Sequence, residues 1–212
     1  MMPLRFSTQD HDRISLAIRD AEKQTAGEIY AVFARQSHDG TALAFAMALA
    51  LCLAISLIAS LIAALVGHPV NALTLALGQG LGAGLLCLAL WRVPALRQLF
   101  VPNFVASAAA AKVAQAQFLA HNLHVTSGRT GVLLFVSEAE HYAEVIADSG
   151  IHQHVSEADW QQIVDVLTKA ARQDQLVEGF VEAIRRSGAL LSVHFPPTAH
   201  GRNELPDRLV EM

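Results

Sequence analysis

Glu28, Arg129 and Asp148 are the ionisable residues best placed for joint chemistry, because each stands at the end of an apolar run. Glu28 opens Glu28–Ala34, Arg129 precedes Thr130–Val136, and Asp148 closes Tyr142–Asp148. If the second and third runs pair as a hairpin, position 130 lies opposite position 148. If the first run lies parallel to the second, as a long helical crossover permits, Glu28 starts at the same sheet end. Two carboxylates there would hold a divalent cation such as Ca²⁺, with Arg129 orienting an anion. The plainer alternative is a salt bridge that pins the sheet edge.

Other candidates carry weaker chemistry. His152-Gln153-His154 could set two imidazoles on one side of an extended segment, but no further ligand has metal-site spacing. His121 and His124 stand near a helix end, where imidazoles favour the helix dipole. Glu138, Glu140 and His141 read as a solvated turn. The chain has no Gly-Lys-Ser/Thr phosphate loop and no Gly-x-Ser-x-Gly nucleophile elbow. Its two cysteines, Cys52 and Cys87, both lie in strongly apolar stretches, which sets thiol catalysis aside. A net charge of −4 argues against a nucleic-acid surface.

The elements that must position these groups are legible as pattern. Ser7 to Asp10 forms a cap-like start, and Ile14, Ala17, Ile18 and Ala21 recur at helical spacing. Glu28–Ala34 and Thr130–Val136 are apolar on both faces, as strands covered on both sides must be. Asn103–Asn122 is Ala-rich without a breaker and predicts a helix. Ser156 to Asp159 resembles a capping box ahead of Trp160, Ile163, Val164, Leu167 and Ala171. Asp174 is expected to open a last helix, which Pro196-Pro197 stops. Residues 198–212 read as a short, loose polar tail.

An uncharged block interrupts this α/β pattern. Residues 41–90 hold none of the 15 Lys and Arg or the 19 Asp and Glu. Thr41–Val66 and Val70–Leu90 are separated by Gly67-His68-Pro69, and each exceeds the roughly 20 helical residues that cross a hydrocarbon core. The expectation is a transmembrane helical hairpin. Arg35, Arg92, Arg97 and Lys112 flank it while its turn has no cation, which places both termini in the cytoplasm of a cell inner (plasma) membrane protein. Without intramembrane carboxylates or cations, transport by this chain alone is not expected. Gly80 and Gly84 form a small-xxx-small pair, as do Ser56 and Ser60; they serve packing within the hairpin or the seam of a homodimer. The organisation is therefore 1–40, first helix and strand of a split domain; 41–91, the hairpin; 92–197, the remainder of the domain; 198–212, the tail.

Segments 25–32, 129–136, 145–151 and 160–163, in this order, resemble the TPM-domain family, named for a thylakoid-lumen acid phosphatase, a photosystem-repair protein and an acetylcholine-receptor modulator. The chain is most similar to a bacterial membrane subgroup with the hairpin inserted after the first strand and an ending like Asn203-Glu204-Leu205-Pro206-Asp207. The resemblance implies a three-layer α/β fold with a short mixed sheet. It links the chain to phosphatase activity, complex repair and receptor modulation, although the better-described members place the domain outside the cytoplasm. Two functions are carried forward. One is a non-catalytic interaction or regulatory module in membrane-protein maintenance, with the bilayer and a membrane or cytoplasmic protein as partners. The other is a metal-dependent, acid-type phosphatase using Asp148 and Glu28.

Overall fold

The computed structural model describes residues 6–68, 71–93, 95–126, 128–197 and 203–212. The chain forms two compact units: Met1–Ser37 with Ser107–Met212, and His38–Ala106. Pro69 and Val70 in the expected hairpin turn, and residues 198–202 of the expected tail, lie outside the described residues.

The first unit begins with helix α1, Thr8–Glu22. Ser7 accepts from the Asp10 amide at 3.2 Å while the Asp10 carboxylate accepts from the Ser7 amide at 2.9 Å. This capping box satisfies two amides that the first turn would otherwise leave open. Ile14, Ile18 and Ala21 are its buried stripe. Strand β1, Glu28–Ala34, follows and is buried along its whole length. Strand β2, Gly131–Ser137, runs parallel to it with Glu28 opposite Gly131, and strand β3, Tyr142–Ala147, pairs antiparallel to β2. Strand β4, Leu209–Glu211, joins the other side of β1 in parallel, giving the order β3-β2-β1-β4.

Helices cover both faces of this sheet. The alternation of β1 sends Ile29, Ala31 and Phe33 into a core with α1, with helix α7 (Glu157–Arg172) and with helix α8 (Leu176–His194). Tyr30, Val32 and Ala34 face the other way, onto Ala110, Ala114 and Phe118 of helix α5, which spans Asn103–Ala120. The architecture is three-layered α/β, as expected. The strand runs lack an apolar/polar alternation because neither face of the central strands meets water.

Three details differ from the sequence expectation. β2 starts at Gly131, so Asp148 faces Gly131 and donates its amide to that carbonyl at 2.9 Å, one residue from the expected register. Asp174 does not open α8; it sits in the preceding turn with φ 55°, and the helix begins at Leu176. The tail is not loose throughout. Leu209 is buried, Met212 donates its amide to Phe33 at 2.9 Å, and Arg35 donates to Met212 at 3.0 Å. The edge of β1 would otherwise leave backbone groups unpaired, which outweighs the weak strand signal of three residues.

The second unit holds helices α2 (Thr41–Leu65), α3 (Ala72–Arg92) and the short α4 (Ala95–Gln98). α2 and α3 are each long and apolar enough to cross a membrane. Gly67, at φ 78°, takes the left-handed conformation that a side chain resists and starts the reversal. Ala44, Ala48 and Leu90 are buried, while leucines and isoleucines cover the outer sides of both helices. Arg97 ties the base of the hairpin together: Nε donates to the Leu90 carbonyl at 2.9 Å and Nη1 to Thr41 Oγ1 at 3.1 Å. It thereby satisfies a carbonyl at the end of α3 and meets the start of α2. A Cβ at Gly78, Gly80, Gly82 or Gly84 would meet nothing within 4 Å, so these glycines are not used to bring α3 against α2.

Candidate functional site

A cleft of about 880 Å³ opens at the end of the sheet where β1 begins. Its walls come from four places. The last turn of α1 supplies Arg19, Glu22 and Lys23; the link to β1 supplies Thr25 to Glu28; the approach to β2 supplies Thr126, Gly128 and Thr130; and the end of α8 joins residues 203–207 on the far side. Backbone bonds hold the floor: Ala26 donates to the Phe195 carbonyl at 2.9 Å, and Glu28 donates to the Thr130 carbonyl at 3.1 Å. Thr25 Oγ1 donates to the same Phe195 carbonyl at 2.7 Å, and Thr130 Oγ1 to the Ala26 carbonyl at 3.1 Å.

Carboxylates dominate the cleft. Glu28 is 9% exposed, and its two oxygens accept from the backbone amides of Glu204 and Leu205, each at 3.3 Å. Burial raises its proton affinity, the two amides oppose this, and the neighbouring Glu204 and Asp207 charges add to it. Glu22 accepts from the Ile29 amide at 2.9 Å. Burial, then the charges of Glu28 and Asp207, push its pKa up to about 8 against the lowering effect of that amide. Asp207 accepts from Arg19 Nε at 3.1 Å and from Asn203 Nδ2 at 2.6 Å. The cations at the rim are already engaged: Arg19 by Asp207, and Lys23 by Asp20 at 2.7 Å.

The expected trio divides between two places. Glu28, Gly131 and Asp148 do share one sheet end by register. Glu28 belongs to the cleft, whereas Arg129 and Asp148 do not line it. Asp148 is 6% exposed and caps the short helix α6, Ser149–His152, accepting from the Ser149 amide at 2.6 Å. Its Oδ2 is buried without a hydrogen-bond partner among the described residues. Arg129 donates to Ser149 Oγ at 3.2 Å, and among the described residues no ion pair joins it to Glu28 or Asp148. Gly150 permits this close packing, since a Cβ there would sit 2.6 Å from the Arg129 carbonyl oxygen. We expect Asp148→Ala to cost about 1 kcal/mol, a typical loss for a helix N-cap, and Asp148→Asn only a few tenths, because Asn caps as well as Asp. Thermal melts of the two variants check this; equal losses would show that the charge matters and the cap does not.

The remaining candidates are structural here. His154 Nδ1 lies 3.3 Å from the Gly150 carbonyl, and its ring meets Phe195 edge-on. His121 does more than face a helix dipole: its ring bridges the Tyr30 hydroxyl and Gln117, each at 3.1 Å, under the sheet. Burial, then the Arg208 charge, lowers its pKa. Glu140 is not simply solvated; it accepts from the Ser37 amide at 3.1 Å and from Ser137 Oγ. Among the described residues, no group of three or more His, Cys, Asp or Glu is placed to hold a metal ion. The sequence reading missed Glu22 as a site residue. Its position at the end of the α1 stripe gave no signal, because only the fold brings it against Glu28 and Asp207. Asp207 was noticed only as part of an ending.

A three-layer α/β unit, cut by a helical pair and carrying an acidic cleft at one sheet end, defines the class of this protein. The TPM domain model matches residues 96–190, and over that stretch the chain is similar to this family. The solved NMR structure of the BA42 protein from the psychrophilic bacterium Bizionia argentinensis is similar in fold, with a TM-score of 0.61 at 17% identity. The alignment covers 100% of this chain and 99% of that one. No curated protein matches this chain.

Proposed function

We propose that this protein is a membrane-anchored TPM-domain module that binds a cationic segment of a protein partner in membrane-protein maintenance, without catalysing a reaction itself. The hairpin α2–α3 spans the inner membrane, and both flanking parts of the chain lie in the cytoplasm. The observation that carries the binding reading is the convergence of Glu22, Glu28, Glu204 and Asp207 in one cleft whose cations are already paired. A lysine or arginine side chain entering there would meet a lining in which the acids Glu22, Glu28, Glu204 and Asp207 outnumber the described cations Arg19 and Lys23. A free anion would meet repulsion.

The test is binding of a fluorescent Lys/Arg-rich peptide to the full chain in detergent. Saturable, salt-sensitive binding is expected. Asp207→Asn should weaken it about tenfold, as for one charge-assisted hydrogen bond of roughly 1.5 kcal/mol. An Asp/Glu-rich peptide should not bind. Equal binding of both peptides, or of neither, would sink the reading.

The phosphatase alternative has one observation in its favour. With a pKa of about 8, Glu22 stays protonated at neutral pH and is a candidate general acid for a leaving alkoxide. Hydrolysis of a generic phosphate ester, lost in Glu22→Gln, would replace the binding reading with this one.

A further inference from the structure

We propose that residues 203–212 form a strap across the acidic cleft, and that negative charge gained by the cleft releases it. The strap carries Glu204 and Asp207, two of the four carboxylates of the site proposed above, so its release would take that site apart; its role rests on that reading.

The strap is held at three points of different chemistry. At one end its backbone is bound by a side chain: the Glu204 and Leu205 amides both donate to the Glu28 carboxylate. In the middle, Asp207 is held by Arg19, and Leu205 is buried with Tyr30, Val32 and Phe135. At the other end β4 adds to β1 over only Leu209–Glu211, and Glu211 meets His11 Nε2 at 2.7 Å. The first two holds depend on charge. Glu28 must accept two amides while Glu204 and Asp207, on the strap itself, bring like charges toward it. The third hold is the shortest pairing in the sheet, so the strap's attachment depends heavily on the charge state of the cleft.

Glu22 sets that state. The charged and titratable groups that line the cleft with it are Arg19 and Lys23 on α1, Glu28 on β1, Glu204 and Asp207 on the strap, and His194 at the end of α8; among the described residues of 126–130, Thr126, Gly128 and Thr130 line it. When protonated, Glu22 adds no charge. When ionised, it faces Glu28 and Asp207 directly. The sign follows from linkage. With the strap closed, the Glu22 pKa stands at about 8, and Asp207 on the strap is one of the groups that raise it, so release of the strap lets Glu22 give up its proton more readily. Closure is favoured most at low pH. That advantage is lost as pH rises through about 8.

Hydrogen exchange on the full chain in detergent, corrected for intrinsic rates, tests this without any ligand. Between pH 5.5 and pH 8.5, the opening constant for the Met212 and Arg35 amides should rise at least about tenfold. The β2 amides of Val132–Val136 should stay protected. Glu22→Gln should flatten the dependence; Glu22→Ala serves the same purpose, with β2 protection reporting that each variant is folded. The proposal is overturned by a flat wild-type profile. It is equally overturned by the same rise in folded Glu22→Gln or Glu22→Ala, or by a loss that includes β2. A pH-insensitive strap with intact peptide binding removes only the strap. A responsive strap with no peptide binding removes only the ligand reading.

Discussion

Phe33→Asp is expected to unfold the α/β unit. Phe33 is fully buried near the end of β1, opposite Val136 of β2, and its ring meets Phe6 edge-on at 5.0 Å. Its backbone also accepts the Met212 amide. Losing the ring costs about 3–5 kcal/mol, as in other buried Phe truncations. A carboxylate placed there has no partner, and a buried unpaired charge costs several kcal/mol more. Together these approach the whole stability of an ordinary domain, roughly 5–15 kcal/mol. Leu134→Asp on β2, equally buried, should behave the same way. Val193→Asp is the control: Val193 is 73% exposed on α8, and exposed substitutions stay within about 0.5 kcal/mol. Protease resistance and thermal melts read the difference. Wild-type resistance in both strand variants would rule out the pairing of β1 with β2 as the core of the unit.

The second large effect is all-or-none. A reporter that fluoresces only in the cytoplasm should fluoresce when fused after Met212, and a phosphatase reporter active only outside it should be active when inserted at His68. The motive is the distribution of cations: Arg35, Arg92, Arg97 and Lys112 flank the hairpin, and none stands in its turn. Cationic flanks are retained on the cytoplasmic side. The opposite pattern, with the His68 fusion fluorescent in the cytoplasm and the Met212 fusion active outside, would invert the topology. Two silent His68 fusions would remove the span altogether. The Arg97 contacts to Leu90 and Thr41 fit this arrangement, because they satisfy helix-end groups at the base of the hairpin.

The strap and the cleft separate two kinds of information. Glu28–Ala34, the β2–β3 pair, the α1 and α7 caps and the two apolar helices were all legible in the sequence. Each announces itself locally: a cap needs the residues within one turn, a doubly covered strand needs only an unbroken apolar run, and a span needs only length without charge. The length of the connection permits a parallel order of β1 and β2, and the fold adopts it. The site did not follow in the same way. Glu28 was found because it begins a strand. The register, one residue from the expected one, and the cap made by Asp148 took Arg129 and Asp148 to α6. Glu22 and Asp207, far apart in sequence, meet beside Glu28 because α1 lies against β1 and residues 203–212 return to its edge. Their electrostatics depend on burial, and burial belongs to the assembled fold: the same Glu22 carboxyl in the open chain has no reason to hold its proton. Local pattern sets which elements form and which segments avoid water. Which carboxylates face each other depends on packing across long sequence separations, and no local pattern carries it.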